Sequence, residues 1–219
     1  MNRIAEKGGD NMCCNNSQCN CGCNFGRCTN LGPFVAVDAD CITPPTTSAR
    51  ASIIPYASGI TTPVLLVTTV GGLASTVSTI GFGSALTGIT LVGGLIDVTG
   101  LAATESFTAP RAGNVTAISA NFNTLLAATV LTGTATIRAQ VYRAPAGSNI
   151  FSPTSATVLL APSLTAPLAA GQLSSGSASG FSVPVSPGDR LLMVFSVTAT
   201  GLTAAVTVAG FASAGITIE

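Results

Sequence analysis

The stretch Gly188–Thr200, with the sequence GDRLLMVFSVTAT, constrains the fold of this chain more than any other. Large apolar side chains recur there at every second position: Leu191, Met193, Phe195 and Val197. The intervening positions form a mixed face: Leu192, Val194, Ser196 and Thr198. A period of two predicts a β-strand with one face in the core and the other against solvent or a neighbouring subunit. The two valines and the preceding Pro-Gly-Asp turn favour this strand over a buried helix.

Many other short segments with this character follow one another from about Ser52 onward, separated by Gly, Pro, Asn and Ser. The predicted strands are Ile53–Tyr56, Val64–Val70, Thr90–Val92, Leu95–Val98, Ser106–Ala109, Asn114–Phe122, Ala127–Leu131, Ala135–Tyr142, Val158–Leu160, Ser179–Val183, Arg190–Thr198 and Ala204–Ile218. No segment shows a helical stripe, so crossover helices are not expected. This pattern predicts an all-β, antiparallel jelly-roll sandwich, with a solenoid of β-turns as the alternative.

Charge is scarce in this sequence and it is balanced. Only 7% of the 219 residues are charged, and eight Lys and Arg offset eight Asp and Glu. A chain without a net field does not attract nucleic acid or anionic lipid, so we expect neither as a partner. A surface with little charge near neutral pH promotes association, which indicates that the normal state is an assembly.

A long uncharged run, Ala51–Ile96, raises the question of a membrane segment because it has no charged residue over 46 positions. Within it, however, Pro63–Phe82 has only ten apolar residues in twenty, with six Thr or Ser, three Gly and one Pro. Such a segment is a poor transmembrane helix, so we predict a buried β-rich region instead. The opening residues also lack the apolar core of a secretory leader.

The first fifty-one residues differ in kind from the rest of the chain. They contain all seven cysteines and the only lysine, and they show no hydrophobic periodicity. The sequence therefore predicts two parts: residues 1–51 as an extended cysteine-rich connector and linker, and residues 52–219 as one β domain.

The cysteines of the connector are candidates for disulfides between subunits: Cys13, Cys14, Cys19, Cys21, Cys23, Cys28 and Cys41. An odd number leaves at least one thiol without a partner in its own chain. Adjacent and alternate cysteines rarely bridge to each other, which favours partners on other chains. A thiolate site for Zn or Cu(I) is the rival reading, but the chain has no Cys-x-x-Cys pair and no His. We therefore predict no metal and no cofactor, and a disordered tail remains a further alternative.

The connector has one short apolar run, the sequence FVAV at Phe34–Val37. We expect Phe34, Val35 and Val37 to dock in a neighbouring subunit by strand addition or axial insertion. The reach is sufficient, because fifty extended residues span well over 100 Å and a domain of this size is roughly 40 Å across.

The residues needed for most enzyme chemistry are missing, so we predict that the protein is not an enzyme. Without His, the usual general base is absent, and the only lysine, Lys7, lies outside the domain. The carboxylates of the domain are few: Asp97, Glu105, Asp189 and Glu219. We expect Asp189 to shape its turn. The arginines of the domain either pair with carboxylates across a subunit interface or stand alone on the surface: Arg111, Arg138, Arg143 and Arg190.

Several sequence motifs in order resemble a known family. They are IIPYASG at Ile53–Gly59, GGLA followed by IGFGSA at Ile80–Ala85, ESFTAPRAGNVTAISANF, GDRLLMVFSVTA, and AGFASAGITI at Ala209–Ile218. Together they resemble the C-terminal domain of the exosporium glycoprotein BclB of spore-forming Firmicutes, over about Ser52–Ile218. The resemblance implies a jelly roll like that of tumour-necrosis-factor and complement-type trimers, at the outer spore surface.

The resemblance ends at the connector. BclB-like proteins carry a collagen-like stalk before this domain, whereas this chain has no Gly-X-Y repeat there. Its cysteine-rich connector instead is similar to those of endospore appendage subunits. Together these features predict a structural, self-assembling subunit at the spore surface, extracellular after mother-cell lysis. Homotrimeric heads would stack into a fibre through the connector, with other spore-surface proteins as anchor. The alternative is an adhesive domain that binds carbohydrate or a host surface, and a membrane-inserted domain is a distant third.

Overall fold

The computed structural model describes residues 51–101, 105–127, 133–166, 168–201 and 205–219. The connector lies outside these ranges, with its seven cysteines and with Phe34, Val35 and Val37. The predictions made for those residues therefore remain predictions, as does the part of the predicted strand Ala127–Leu131 that follows Ala127.

The described residues form thirteen β-strands. They are β1 Ser52–Ala57, β2 Val64–Thr68, β3 Ala74–Ile80, β4 Ala85–Thr90, β5 Ile96–Asp97, β6 Phe107–Thr108, β7 Gly113–Ala127, β8 Thr134–Ala144, β9 Ile150–Leu159, β10 Leu164–Thr165, β11 Leu173–Val185, β12 Arg190–Thr200 and β13 Thr207–Ile218. All named strand pairs are antiparallel. The described part of the chain contains no helix long and apolar enough to span a membrane.

Eight of these strands make two four-stranded layers, in the orders β1·β13·β7·β11 and β3·β12·β8·β9. Each layer interleaves strands from the beginning and the end of the domain, which is the strand order of a jelly roll built from two Greek keys. Strand β2 pairs with both β13 and β3 and so joins the layers along one side. The predicted antiparallel jelly roll is confirmed by this order.

The main core lies between the two layers. The apolar face of β12 contributes Leu191, Met193, Phe195 and Val197, all buried, as the alternation in the sequence predicts. Phe122 on β7 meets Phe195 with the ring centroids 6.5 Å apart, which joins one layer to the other. Burial of each such side chain contributes about 1.5–3 kcal/mol.

A second, smaller core covers the opposite face of β12, and here the prediction was wrong. Leu192 and Val194 do not face solvent or a neighbouring subunit, because both are 2% exposed within the chain itself. The segment from β4 to Val98 covers this face and packs Ile89, Ile96 and Val98 against them. Local alternation shows which residues share a face, but it cannot show which distant segment covers that face.

Several strand boundaries also differ from the prediction. The hairpin of β3 and β4 was missed, because its Ser, Thr and Gly content around Gly81–Gly88 is typical of a turn. Strand β9 begins at Ile150 rather than at Val158, and β11 begins at Leu173 rather than at Ser179. Both of these strands are stabilised by pairing with distant strands, β8 and β7 respectively, which local propensity does not report.

Candidate functional site

One sheet of the domain has no charge at all. The strands β1, β2, β7, β11 and β13, which we call the uncharged sheet, contain no Asp, Glu, Lys or Arg. The charged residues of the described chain lie on the other strands or in loops: Asp97, Glu105, Arg111, Arg138, Arg143, Asp189, Arg190 and Glu219. A sheet face without charge is poorly suited to permanent contact with water and well suited to contact with protein.

The outer face of the uncharged sheet is built from rows of paired residues, most of them small. The rows are Ile53, Thr217, Ala117 and Ser179; Pro55, Gly215, Ser119 and Ser177; Ala57, Ser213, Asn121 and Ser175; and Phe211, Asn123 and Leu173. Ser119 and Ser177 are hydrogen-bonded to each other, with their Oγ atoms 2.8 Å apart. Their hydroxyl groups are thereby satisfied within the face, which lowers the cost of removing them from water.

Large apolar side chains at the margins of this face are exposed. Ile53 is 75% exposed, Leu173 52% and Leu125 46%, and Leu65 is also exposed. Each stands on one strand of the uncharged sheet: β1, β11, β7 and β2 respectively. Together with half-buried Phe211 they surround the small residues with apolar surface that a partner would cover.

The size of the face matches a stable protein interface. Strand β13 has 12 residues, which at about 3.4 Å each give a length of about 40 Å. Four strands spaced about 4.8 Å apart give a width of about 19 Å, so the face covers about 800 Å². A standard interface buries about 800 Å² on each partner.

Two depressions lie in the part of the face around Gly215. One, of about 340 Å³, lies among Ile53, Ser119, Ser179 and Thr217. The other, of about 550 Å³, lies beside Asn121 and is lined by small residues of β7, β11 and β13. Depressions of this size receive protruding side chains of a partner more readily than a flat sheet does.

The opposite layer presents a different outer surface. Part of this surface is covered by the second core, and the rest carries Arg138 and Arg190. Within the described part of the chain, no other segment packs a core against the outer face of the uncharged sheet.

Three arginines of the domain have hydrogen-bond partners within the chain: Arg111, Arg143 and Arg190. Arg143 donates from Nε to Oδ2 of Asp189 over 2.8 Å, so the prediction of a pair across a subunit interface or of a lone surface arginine was wrong for Arg143. Arg190 lies over the Phe151 ring, 5.0 Å from its centroid, and donates to Asn149. Arg111 donates to the Ser52 hydroxyl over 3.1 Å.

Asp189 holds the turn before β12, as the sequence predicts. Its Oδ2 accepts the backbone N–H of Ser186 over 2.8 Å and the Nε–H of Arg143. Burial alone would raise the pKa of Asp189, but these hydrogen bonds and the charge of Arg143 outweigh it and hold the pKa below its usual value. The carboxylate is thus a charged structural group at pH 7.

Two buried hydroxyl groups among the described residues lack a hydrogen-bond partner: those of Tyr56 and Thr76. Tyr56 is 2% exposed, and its hydroxyl has no hydrogen-bond partner in the described structure. Burial raises the pKa of this hydroxyl far above its ordinary value. The ring stacks on Phe82 with the centroids 5.5 Å apart, so Tyr56 acts as a packing residue.

No group of three or more metal-ligating side chains occurs among the residues that the structure describes. The cysteines and the docking residues of the connector lie outside those residues, so the structure does not bring them to any site.

Sequence reasoning missed the uncharged sheet as a surface, although a signal was present. Besides Ala51–Ile96, the runs 112–137, 144–188 and 191–218 contain no charged residue, and they supply β7, β11 and β13. The sequence showed these four runs, but it did not show that strands from all of them meet in one sheet.

The chain is similar in sequence to a collagen-like protein and in structure to a TNF protein. The chain is 32% identical over 180 residues to Collagen-like protein 1 of Acanthamoeba polyphaga mimivirus, an alignment that covers 78% of this chain. The chain spans only about a fifth of that relative, 19% of its length. The structure of Eiger TNF from S. frugiperda aligns over 76% of this chain and 92% of its own, with 11% identity and a TM-score of 0.34. No protein-family profile matches the chain. The resemblance to BclB and to appendage subunits stays a prediction.

Proposed function

We propose that this protein is a structural, self-assembling subunit whose β domain forms a homotrimeric head through the outer face of the uncharged sheet. The observation that carries the proposal is that face: about 800 Å² without one charged residue, rimmed by exposed Ile53, Leu125 and Leu173. A head that exposed this surface permanently would aggregate without order, whereas a closed symmetric ring covers it.

The number three is supported by the sequence relative. Collagen chains associate in threes, so a head joined to a collagen-like chain is brought together as three copies. The relative is named a collagen-like protein, and this chain matches a fifth of its length. We extend the trimer to this chain on that ground, although its own connector has no collagen repeat.

The connector gives the trimer its second contact. We propose that Phe34, Val35 and Val37 dock in the next head along a fibre, and that the seven cysteines then form disulfides between subunits. Oxidation of this kind belongs outside the cytosol. It fits a fibre or appendage on the spore surface that is exposed once the mother cell lyses. The subunit has a structural role and no catalytic one, and its partners are itself and the spore-surface proteins that anchor it.

Purified full-length protein tests the head and the connector separately. In the presence of reductant, light scattering should give a mass of three times 21.6 kDa. Without reductant, the protein should form ladders on denaturing gels and fibres in electron micrographs. A mass of one chain in both conditions contradicts the whole proposal.

The connector has its own control. Replacing Phe34, Val35 and Val37 by Ser should abolish fibres and leave the trimer intact, whereas replacing Asn15, Asn16 and Gln18 by Ser should change neither. Fibres that persist after deletion of residues 1–40 would rule out the connector while leaving the trimeric head standing.

A further inference from the structure

A cleft of about 370 Å³ opens between the edge strands of the two layers, β9 and β11. Its lining combines hydroxyl groups and proline rings with one guanidinium: Arg143, Ser152, Thr154, Ser155, Ser182 and Pro184. Strand β2 joins the two layers along one side of the sandwich, and the cleft lies on the opposite side. It is distinct from the outer face of the uncharged sheet.

Both walls of the cleft are irregular strands held by defined contacts. Strand β9 shifts register opposite Gln140 and Tyr142, and β11 shifts between Ser179 and Val183. On β9, the Thr154 hydroxyl donates to the Val141 carbonyl over 2.7 Å, and the Gln140 side-chain amide donates to the Thr154 carbonyl over 2.7 Å. Bulges of this kind redirect side chains and are frequent beside binding sites.

Arg143 breaks an apolar row inside the sandwich. The preceding inward residues of β8 are all apolar and buried: Ala135, Ile137, Ala139 and Val141. Arg143 pairs with Leu191, a main-core residue, and therefore lies on the same inner face, where it reaches the cleft. Buried Asp189 fixes the guanidinium through Nε, and the Arg143 side chain keeps 30% of its surface exposed. A guanidinium so fixed is preorganised to donate hydrogen bonds to a ligand.

We propose that this cleft binds one unit of a neutral saccharide. The hydroxyl groups of Ser152, Ser155 and Ser182 both donate and accept hydrogen bonds, which matches sugar hydroxyl groups. The proline rings and Val183 offer apolar surface to the C–H face of a pyranose ring. Asp189 neutralises Arg143, so the cleft has no surplus positive charge and favours a neutral sugar over an acidic one. The volume is within the range of small-molecule sites.

Saturation-transfer NMR on the full-length protein tests this assignment. The probes are methyl α-D-glucopyranoside, methyl β-D-galactopyranoside and N-acetylglucosamine, with glucuronic acid as the acidic analogue. At least one neutral probe should bind with a Kd of about 1 mM, the affinity expected of a ligand with about thirteen non-hydrogen atoms. Ser155→Tyr fills the cleft and should abolish the signal, whereas the same change at exposed Ser75 on β3 should leave it unchanged.

Three outcomes overturn the proposal. They are no saturable binding of any neutral probe, binding that survives Ser155→Tyr, and tighter binding of glucuronic acid than of the neutral probes. Ser155→Tyr and wild type should have the same oligomeric mass, because the cleft and the uncharged sheet are separate surfaces. A failure of the trimer would therefore leave this test intact.

Discussion

Gly215 lies in the middle of the outer face of the uncharged sheet, so a substitution there can test association of the heads without changing the stability of each head. A Cβ added at Gly215 would meet no atom closer than the Ile54 carbonyl oxygen at 3.9 Å, and the residue has an ordinary strand conformation. The head itself therefore has room for a side chain at this position. We expect Gly215→Glu to leave the fold of the head unchanged and to prevent the heads from associating.

The expected size of the effect follows from burial of charge. An unpaired carboxylate enclosed in an interface costs about 3 kcal/mol. A trimer contains three of them, so the loss is about 9 kcal/mol, which is about a million-fold in the trimer dissociation constant at about 1.4 kcal/mol for each factor of ten. We therefore expect Gly215→Glu to shift from trimer towards monomer at micromolar concentration.

Sedimentation velocity in reductant measures the result, because disulfides then cannot hold the subunits together. Gly215→Gln adds a side chain of the same length without charge and should weaken association much less than Gly215→Glu does. Ser75→Glu places the same charge on an exposed residue of β3 outside the face and should not change the mass. If Gly215→Glu sediments like wild type with its circular dichroism unchanged, the uncharged face is not the trimer interface.

Three further substitutions test the reading of the domain interior. Tyr56→Phe removes a buried hydroxyl without a partner, so it should raise the free energy of unfolding by about 1 kcal/mol at pH 7. Because burial raises the Tyr56 pKa, wild type should lose stability as the pH rises above about 10, and Tyr56→Phe should lose less. Urea unfolding at pH 7 and pH 11 measures the two effects. A variant that is less stable than wild type at pH 7 contradicts the prediction. Asp189→Asn should cost about 1–3 kcal/mol at pH 7. The pKa of Asp189 is lowered in the folded state, so its carboxylate contributes stability at pH values above the unfolded pKa of about 3.9. This contribution disappears as the pH falls through the folded pKa, so wild type and Asp189→Asn should have the same free energy of unfolding at low pH. A difference in that free energy that persists at pH 2 contradicts this origin. Gly210→Ala places a Cβ against the Asn123 carbonyl and the Phe122 ring, so it should lower the free energy of unfolding by about 1–3 kcal/mol. Gly215→Ala should leave the free energy of unfolding almost unchanged. Equal effects of the two substitutions in urea unfolding would contradict the packing described.

Much of the fold was predictable because its signals are local. The alternation in β12 identified the core residues Leu191, Met193, Phe195 and Val197, and the structure confirms all four. The absence of helical periodicity and the regular spacing of turn residues predicted an antiparallel jelly roll. The turn role of Asp189 also follows from its immediate neighbours, since its carboxylate accepts the N–H of Ser186 three residues away.

The missed features depend on segments that are distant in the chain. The strand β4 and the segment after it cover Leu192 and Val194, although about a hundred residues separate them. Arg143 and Asp189 are 46 positions apart and yet form an ion pair of 2.8 Å. The cleft lies between β9 and β11, which have register shifts next to Pro153 and around Gly180. Pro and Gly inside a strand can indicate a bulge, but they do not show that two distant strands border one cleft.

The amino-acid sequence is enough to predict a β domain that has almost no charge, follows a cysteine-rich segment and has no histidine for acid–base chemistry. These properties depend on composition and on alternation, which any reader of the chain can see. Where the uncharged segments meet depends on the pairing of distant strands. Pairing of β13 with β1, β2 and β7 brings the two ends of the domain into one sheet and makes the uncharged runs a single face. Backbone hydrogen bonds between distant strands set that register, and no local property of the chain specifies it.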